Sequence, residues 1–231
     1  MVKVLELFSG TGSVGKCCKE LGWDTVSVDM ILPADHKCDI MDFDYKQYPK
    51  DEFDIVWGSP PCTNYSKLQD AWLGRMRKGE IYTKEIQERE MNIDDKLVLK
   101  TLEIIDYFNP EFWFIENPAT SKMKDRIFMK DKPNYVVDYC MYSDWGYRKR
   151  TRIWTNKKEW DNKLCDGKGT CGNMTDKHHN KVADGGSDKR GLLHKTNLGN
   201  TERKQKTKGK GTTQQDRYRI PEDLIYSLFL D

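Results

Sequence analysis

Long apolar runs are missing from this 231-residue chain: no stretch approaches about 18 uninterrupted apolar residues, which excludes a membrane-spanning helix. The opening Met1-Val2-Lys3 leads straight into a strand-like run and lacks the charged, apolar and small-residue succession of a signal peptide. A soluble protein that stays inside the cell, wherever its target lies, is therefore expected. A disulfide pattern is lacking too. The seven cysteines are odd in number and Cys17 and Cys18 are adjacent on a helix-like segment, so a reducing compartment fits better than a disulfide framework. Overall charge is nearly balanced at +2, but residues 157–217 hold 15 Lys plus Arg against 8 Asp plus Glu, leaving the rest mildly acidic. A basic, Gly-rich, apolar-poor segment beside an acidic domain suits a polyanion, or a merely solvated insert.

With 37% hydrophobic residues, the length suffices for one α/β domain with a full core and a smaller appendage. Val2 to Leu7 reads as a first strand, Val14 to Leu21 as a helix ended by Gly22, and Thr25 to Val28 as a second strand. Phe53 to Trp57 and the run beginning at Phe112 are buried-strand patterns. Between Lys67 and Asp95 no period is strong, and a mobile loop is expected. From Leu97 apolar residues recur at helical spacing until Asn109-Pro110. Tyr135 to Tyr142 and Arg152 to Thr155 suit antiparallel strands at a sheet edge. The expected fold is α/β and Rossmann-like, a mostly parallel twisted sheet with a small basic insert. The expected division is 1–156 catalytic, 157–216 basic and recognition-like, and 217–231 a C-terminal helix that returns to the main domain.

Two strand ends carry reactive side chains. Cys62 follows Gly58-Ser59-Pro60-Pro61 directly after the Phe53 strand, and Glu116 follows Phe112-Trp113-Phe114-Ile115. In an open α/β sheet that edge binds ligands. Upstream, Gly10-Thr11-Gly12-Ser13-Val14-Gly15 satisfies G-x-G-x-x-G, and Asp29 lies 19 residues after Gly10, a pattern that also suits a nicotinamide dinucleotide. The loop offers backbone N–H groups to an anion, Asp29 can accept from both hydroxyls of a ribose, and Asp39-Ile40 suits an adenine amino group and ring face.

Together these residues resemble the cytosine-C5 DNA methyltransferase family. Phe8-Ser9-Gly10-Thr11-Gly12 resembles its first motif, Pro61-Cys62 with Ser66 its nucleophile motif, Glu116-Asn117 its acidic motif, and Arg148-Lys149-Arg150-Thr151-Arg152 its arginine motif, in the family's order. Thr63 and Arg148 stand where the family usually has glutamine, and Pro118 where valine is common. The resemblance implies a class I methyltransferase fold, S-adenosyl-L-methionine as cofactor and cytosine-containing DNA as partner, with the base flipped out of the duplex. It implies catalytic roles for Cys62, Glu116, Arg150 and Arg152. The thiolate of Cys62 would add to C6, Glu116, its pKa raised by partial burial, would hold the opposite ring edge, and Arg150 or Arg152 would lower the thiol pKa from about 8.5.

Cofactor contacts are assigned to Phe8, Ser9, Gly10, Thr11, Gly12, Asp29, Met30, Asp39, Ile40, Pro60 and Leu97. Nucleic-acid contacts are assigned to Ser66, Arg75, Arg77 and Lys78 on the expected lid and to Lys204, Lys206, Lys208 and Lys210 in the basic segment. Cys165, Cys171, His178 and His179 invite a zinc reading, but their spacing fits no familiar structural site, and no metal is assigned. Three further readings compete: a transfer-RNA cytosine-C5 methyltransferase, a nicotinamide-dependent oxidoreductase using Cys62, and a nucleic-acid-binding protein without catalysis.

Overall fold

A computed structural model describes residues 1–175, 178–181 and 218–230. Six strands form the central sheet: β1 (Lys3–Leu7), β2 (Asp24–Val28), β3 (Ile55–Gly58), β6 (Phe112–Pro118), β7 (Asn134–Asp138) and β8 (Arg150–Thr155). Their order is β2-β1-β3-β6-β8-β7, with β2, β1, β3 and β6 mutually parallel and β8 antiparallel to both β6 and β7. Chain order reverses around β1, so the crevice at the carboxyl ends of β1 and β3 is the topological switch point. The Gly-rich loop and the Cys62 loop both leave the sheet there.

Two cores sandwich the sheet. On one face α2 (Lys84–Phe108) packs Val98, Ile104, Ile105 and Phe108 against Leu5, Val56 and Ile115. The approach is close: a Cβ on Gly58 would lie 2.8 Å from Thr101 Cγ2, so a side chain there would push the helix off β3. On the other face α1 (Ser13–Glu20) and α3 (Glu222–Leu230) pack Cys17, Leu224, Ile225 and Leu228 against Val4, Trp57 and Phe114. Lys16 and Glu222 form an ion pair between α1 and α3, and Tyr226 bonds Glu20.

Two expectations change. The helix starts at Lys84, capped by Thr83, rather than near Leu97. Its first half escapes a hydrophobic-period reading because two of the side chains it buries are the carboxylates Asp94 and Asp95. The stretch read as a structureless loop contains a 3-10 helix, Lys67–Trp72, and a hairpin of β4 (Met76–Arg77) and β5 (Glu80–Ile81). Lys78 and Gly79, both at positive φ, make its two-residue turn. β9 (Met174–Thr175) pairs antiparallel with β10 (His178–His179). Among the described residues no helix is long and apolar enough to cross a membrane. Lys204, Lys206, Lys208 and Lys210 lie outside the described residues.

Candidate active site

β1 ends in a loop whose backbone is set by Phe8, Gly10 and Gly12, all at positive φ. Phe8 takes this conformation at a cost that a non-glycine residue bears only where the surroundings enforce it. Glu6 is one enforcing group: its carboxylate accepts from Val14 N at 3.2 Å and Gly15 N at 3.0 Å, holding the first turn of α1 against β1. Asp29, at the end of β2, is another. Its Oδ2 accepts from Gly10 N at 2.9 Å, while Oδ1 accepts from Ile31 N and Leu32 N at 2.8 and 2.7 Å. A carboxylate has about four acceptor positions. Asp29 thus keeps one, on Oδ2, for a single ligand hydroxyl rather than for both hydroxyls of a ribose.

Asp39 Oδ1 is used by Met41 N at 2.9 Å, and Ile40 lies in the core beside Phe43 and Tyr45 instead of on the open surface. Met30 and Ile31 are the exposed apolar side chains next to Asp29. Thr11 is exposed, Pro60 is buried behind the Cys62 loop, and half-buried Leu97 packs on the α2 core. Ser9 Oγ is buried without a hydrogen-bond partner, and a Cβ added to Gly12 would meet nothing within 4 Å. The loop therefore presents an unsatisfied hydroxyl and open space at the switch point.

The adjacent strand ends bring Cys62 and Glu116 together. β3 and β6 run parallel with Gly58 opposite Ile115, and the loop beyond is tied across by Asn117 Nδ2, which donates to Pro60 O at 3.0 Å. From the other side α2 clamps the same loop. Asn64 donates to Asp94 through Nδ2 at 2.9 Å, and Tyr65 Oη donates to Asp95 at 2.6 Å. Ser66 caps the following 3-10 helix, its Oγ accepting from Leu68 N at 3.2 Å.

Glu116 is buried, and Tyr139 Oη donates to its Oε1 at 3.0 Å while Lys149 Nζ lies 3.4 Å from the same oxygen. The arginines point elsewhere. Arg150 makes two bonds to buried Asp138, 2.9 Å from Nε and 2.7 Å from Nη2, and Arg148 reaches the same carboxylate at 3.0 Å. Arg152 bonds Asn134. Alternation along β8 puts Arg150 and Arg152 on the side away from Ile153, the residue paired with Glu116, while Lys149, just before β8, reaches Glu116.

No protein-family model matches the chain. It is 40% identical over 229 residues to the "Probable DNA (cytosine-5)-methyltransferase" of Frog virus 3 (isolate Goorha), covering 98% of both chains. The chain belongs to the DNA (cytosine-5)-methyltransferase family. Among solved structures it is similar to the Entamoeba histolytica methyltransferase EhMeth, at 16% identity and a TM-score of 0.45 over 71% of this chain and 56% of that one. It is also similar to the S. pombe Dnmt2 methyltransferase, at 14% identity and a TM-score of 0.38 over 72% of this chain and 52% of that one. The chain thus spans nearly all of the viral relative and only about half of these solved chains.

The electrostatics of this family member differ from the sequence expectation. Burial pushes the Cys62 thiol up and the Glu116 charge adds to the rise, while Lys149 and a backbone hydrogen bond at Cys62 oppose it. Burial and then Glu116 also raise Tyr139 well above the ordinary phenol range, so its hydroxyl keeps its proton and acts as a donor. On the β4–β5 hairpin, Arg77 is held by Glu90 at 2.7 Å and stacks on Tyr82, while Lys78 is 3.4 Å from Glu90 and Arg75 is exposed. Sequence reading missed Glu6, Asp94, Asp95, Tyr139 and Lys149. A carboxylate in an otherwise apolar first strand was the one available signal, at Glu6; the others depend on long-range packing.

Proposed function

We propose that this chain transfers the methyl group of S-adenosyl-L-methionine to C5 of cytosine in DNA, through a transient bond between Cys62 and C6 of the base. The observation that carries the reading is the pairing of Cys62 and Glu116 at neighbouring strand ends beside an open Gly-rich loop. The residues fit the cofactor. Ser9 offers its hydroxyl and Thr11 its backbone N–H to the carboxylate, the amides of Ser9, Gly10 and Gly12 being bonded within the fold; Asp29 Oδ2 keeps an acceptor position for a ribose hydroxyl, and exposed Met30 and Ile31 offer apolar cover for adenine. When bound, the cofactor supplies an electrophilic methyl group and departs as a neutral thioether.

The protein supplies the rest. Cys62 gives its proton to solvent and the thiolate adds to C6, leaving the C5–C6 π pair on C5 to take the methyl group; solvent then takes the C5 proton, and the pair of that C–H bond re-forms the C5–C6 double bond as the C6–S bond breaks and returns the thiolate. Glu116, oriented by Tyr139 and Lys149, holds the N3 edge and favours the proton that makes C6 electrophilic. In the free protein burial, and after it the Glu116 charge, oppose ionisation of the thiol. A base hydrogen-bonded to Glu116 relieves that repulsion, so Cys62 is activated when substrate is seated.

The base must leave the stack to reach this site. Arg75 and Lys78 stand exposed on the lid hairpin with Trp72 and Met76, a combination suited to phosphate contact beside an apolar wedge. Arg77 serves as the hairpin's anchor to α2. Arg150 and Arg152 act as positioning groups at the β7–β8 edge, and Lys204, Lys206, Lys208 and Lys210 add phosphate contacts from the basic segment. The test is incubation of duplex DNA with the full chain and S-adenosyl-L-methionine, followed by bisulfite sequencing. Protected cytosines in a defined context support the reading; wholly converted DNA, with tritiated methyl found on transfer RNA instead, removes it.

A further inference from the structure

Three cysteines and a histidine from separate parts of the chain converge beyond the end of β7. Cys140 lies in the 3-10 turn Tyr139–Met141 that follows the strand, Cys165 and Cys171 flank a Gly-containing turn, and His179 belongs to β10. Their four candidate ligand atoms all lie within 4.8 Å of one another. His179 Nε2 is 3.3 Å from Cys140 Sγ, 3.7 Å from Cys165 Sγ and 3.6 Å from Cys171 Sγ. A tetrahedral zinc with Zn–S of about 2.3 Å and Zn–N of about 2.0–2.1 Å has S···N edges of roughly 3.6 Å. The observed distances scatter about that value. We propose that Cys140, Cys165, Cys171 and His179 form a structural Cys3His zinc site.

Ordinary hydrogen bonding does not account for the cluster. One imidazole nitrogen donates a single proton or offers a single lone pair, so it can satisfy one of three surrounding sulfurs at a time. A disulfide would use two sulfurs and leave the third and the ring without a role. A central dication bonds all four at once. The surroundings have the features of an outer shell. Gly167 N donates to Cys165 Sγ at 3.4 Å, and Asp138 fixes the Cys165 backbone N–H at 2.9 Å. Buried Asn173 donates through Nδ2 to the carbonyls of both Cys140 and Cys171 at 3.0 Å, which locks two ligand-bearing segments together. Three thiolates and one zinc leave a net charge of −1, and Arg148 lies beside them with Nη2 3.4 Å from Cys165 O.

Sequence reading dismissed this site for a physical reason. Its first ligand, Cys140, lies far upstream in the sheet domain, and His178, counted with His179, is exposed and outside the cluster. The zinc would staple residues 165–179 to the residue that follows Tyr139, the donor to Glu116.

Metal analysis of the untagged full chain purified without chelator tests this, with one zinc per chain expected. Replacing zinc by cobalt(II) should give the intense visible bands of tetrahedral coordination and a thiolate charge-transfer band. Cys171→Ser and His179→Ala should lower affinity more than tenfold. His179→Cys, which keeps four ligands, should retain the metal, as should Cys62→Ala and His178→Ala. Should a ligand variant fail to fold, the cobalt spectrum of the wild-type chain decides. Wild-type protein that takes up neither zinc nor cobalt, or that shows a disulfide among Cys140, Cys165 and Cys171 by non-reducing mass spectrometry, overturns the proposal.

Discussion

Asn117 Nδ2 donates to the carbonyl of Pro60 at 3.0 Å, and through that bond the end of β6 holds the loop that carries Cys62. Asn117 immediately follows Glu116, so one buried amide sets the spacing between the two groups proposed for the chemistry. Asn117→Ala should therefore lower methyl-transfer kcat by tenfold or more and cost about 1–3 kcal/mol of stability for the carbonyl left unpaired. Single-turnover kinetics and denaturant unfolding measure the two effects. Loss of stability at unchanged kcat would make Asn117 a fold residue only.

Cys62→Ala should abolish methyl transfer and leave S-adenosyl-L-methionine binding nearly unchanged, because the thiol acts on the base. Calorimetric titration beside a tritium-transfer assay separates the two. Turnover in this variant would end the covalent scheme.

Glu116 and Lys149 act on Cys62 with opposite signs, the former raising and the latter lowering its pKa. Glu116→Gln should speed alkylation of Cys62 by iodoacetamide at neutral pH, and Lys149→Met should slow it. The pH profile of labelling, read by peptide mass spectrometry, checks both shifts. Parallel changes in the two variants would show that packing, and not charge, governs the thiol.

Glu6 titrates high. Burial raises its carboxyl to about 7 from about 4.5, against the lowering effect of the Gly15 and Val14 amides. The folded state therefore binds more protons than the unfolded state between those values, and stability falls as pH rises through that window. The contribution amounts to at most about 3 kcal/mol, lost by pH 7 and above. Glu6→Gln should flatten the dependence of unfolding free energy on pH between 4.5 and 7. An unaltered slope would assign it to other groups.

Arg75 and Arg77 differ although they are two residues apart at the β4–β5 hairpin. Arg75→Ala should reduce the slope of log K against log salt for duplex DNA by about 0.9 while leaving thermal unfolding unchanged. Arg77→Ala, which removes the Glu90 pair and the Tyr82 stack, should loosen the hairpin, seen as faster amide exchange over residues 76–82. Identical behaviour of the two variants would contradict the division.

Legible in the linear sequence were the mostly parallel sheet, the glycine-rich loop after β1, and the delivery of Cys62 and Glu116 near the ends of β3 and β6. Those features depend on local apolar runs and short motifs, which a linear reading preserves. Tertiary structure alone decided which neighbours tune them. Arg150 and Arg152 miss Glu116 because alternation along β8 turns them away from the side of Ile153, which pairs with Glu116, and Lys149, just before β8, reaches it instead. Asp94 and Asp95 are buried because α2 crosses the Cys62 loop, and their partners lie 30 residues away. Cys140 joins Cys165, Cys171 and His179 only when β7 ends beside the β9–β10 pair. Each of these depends on contacts between segments distant in the chain, and spacing along a sequence does not encode distance across a fold.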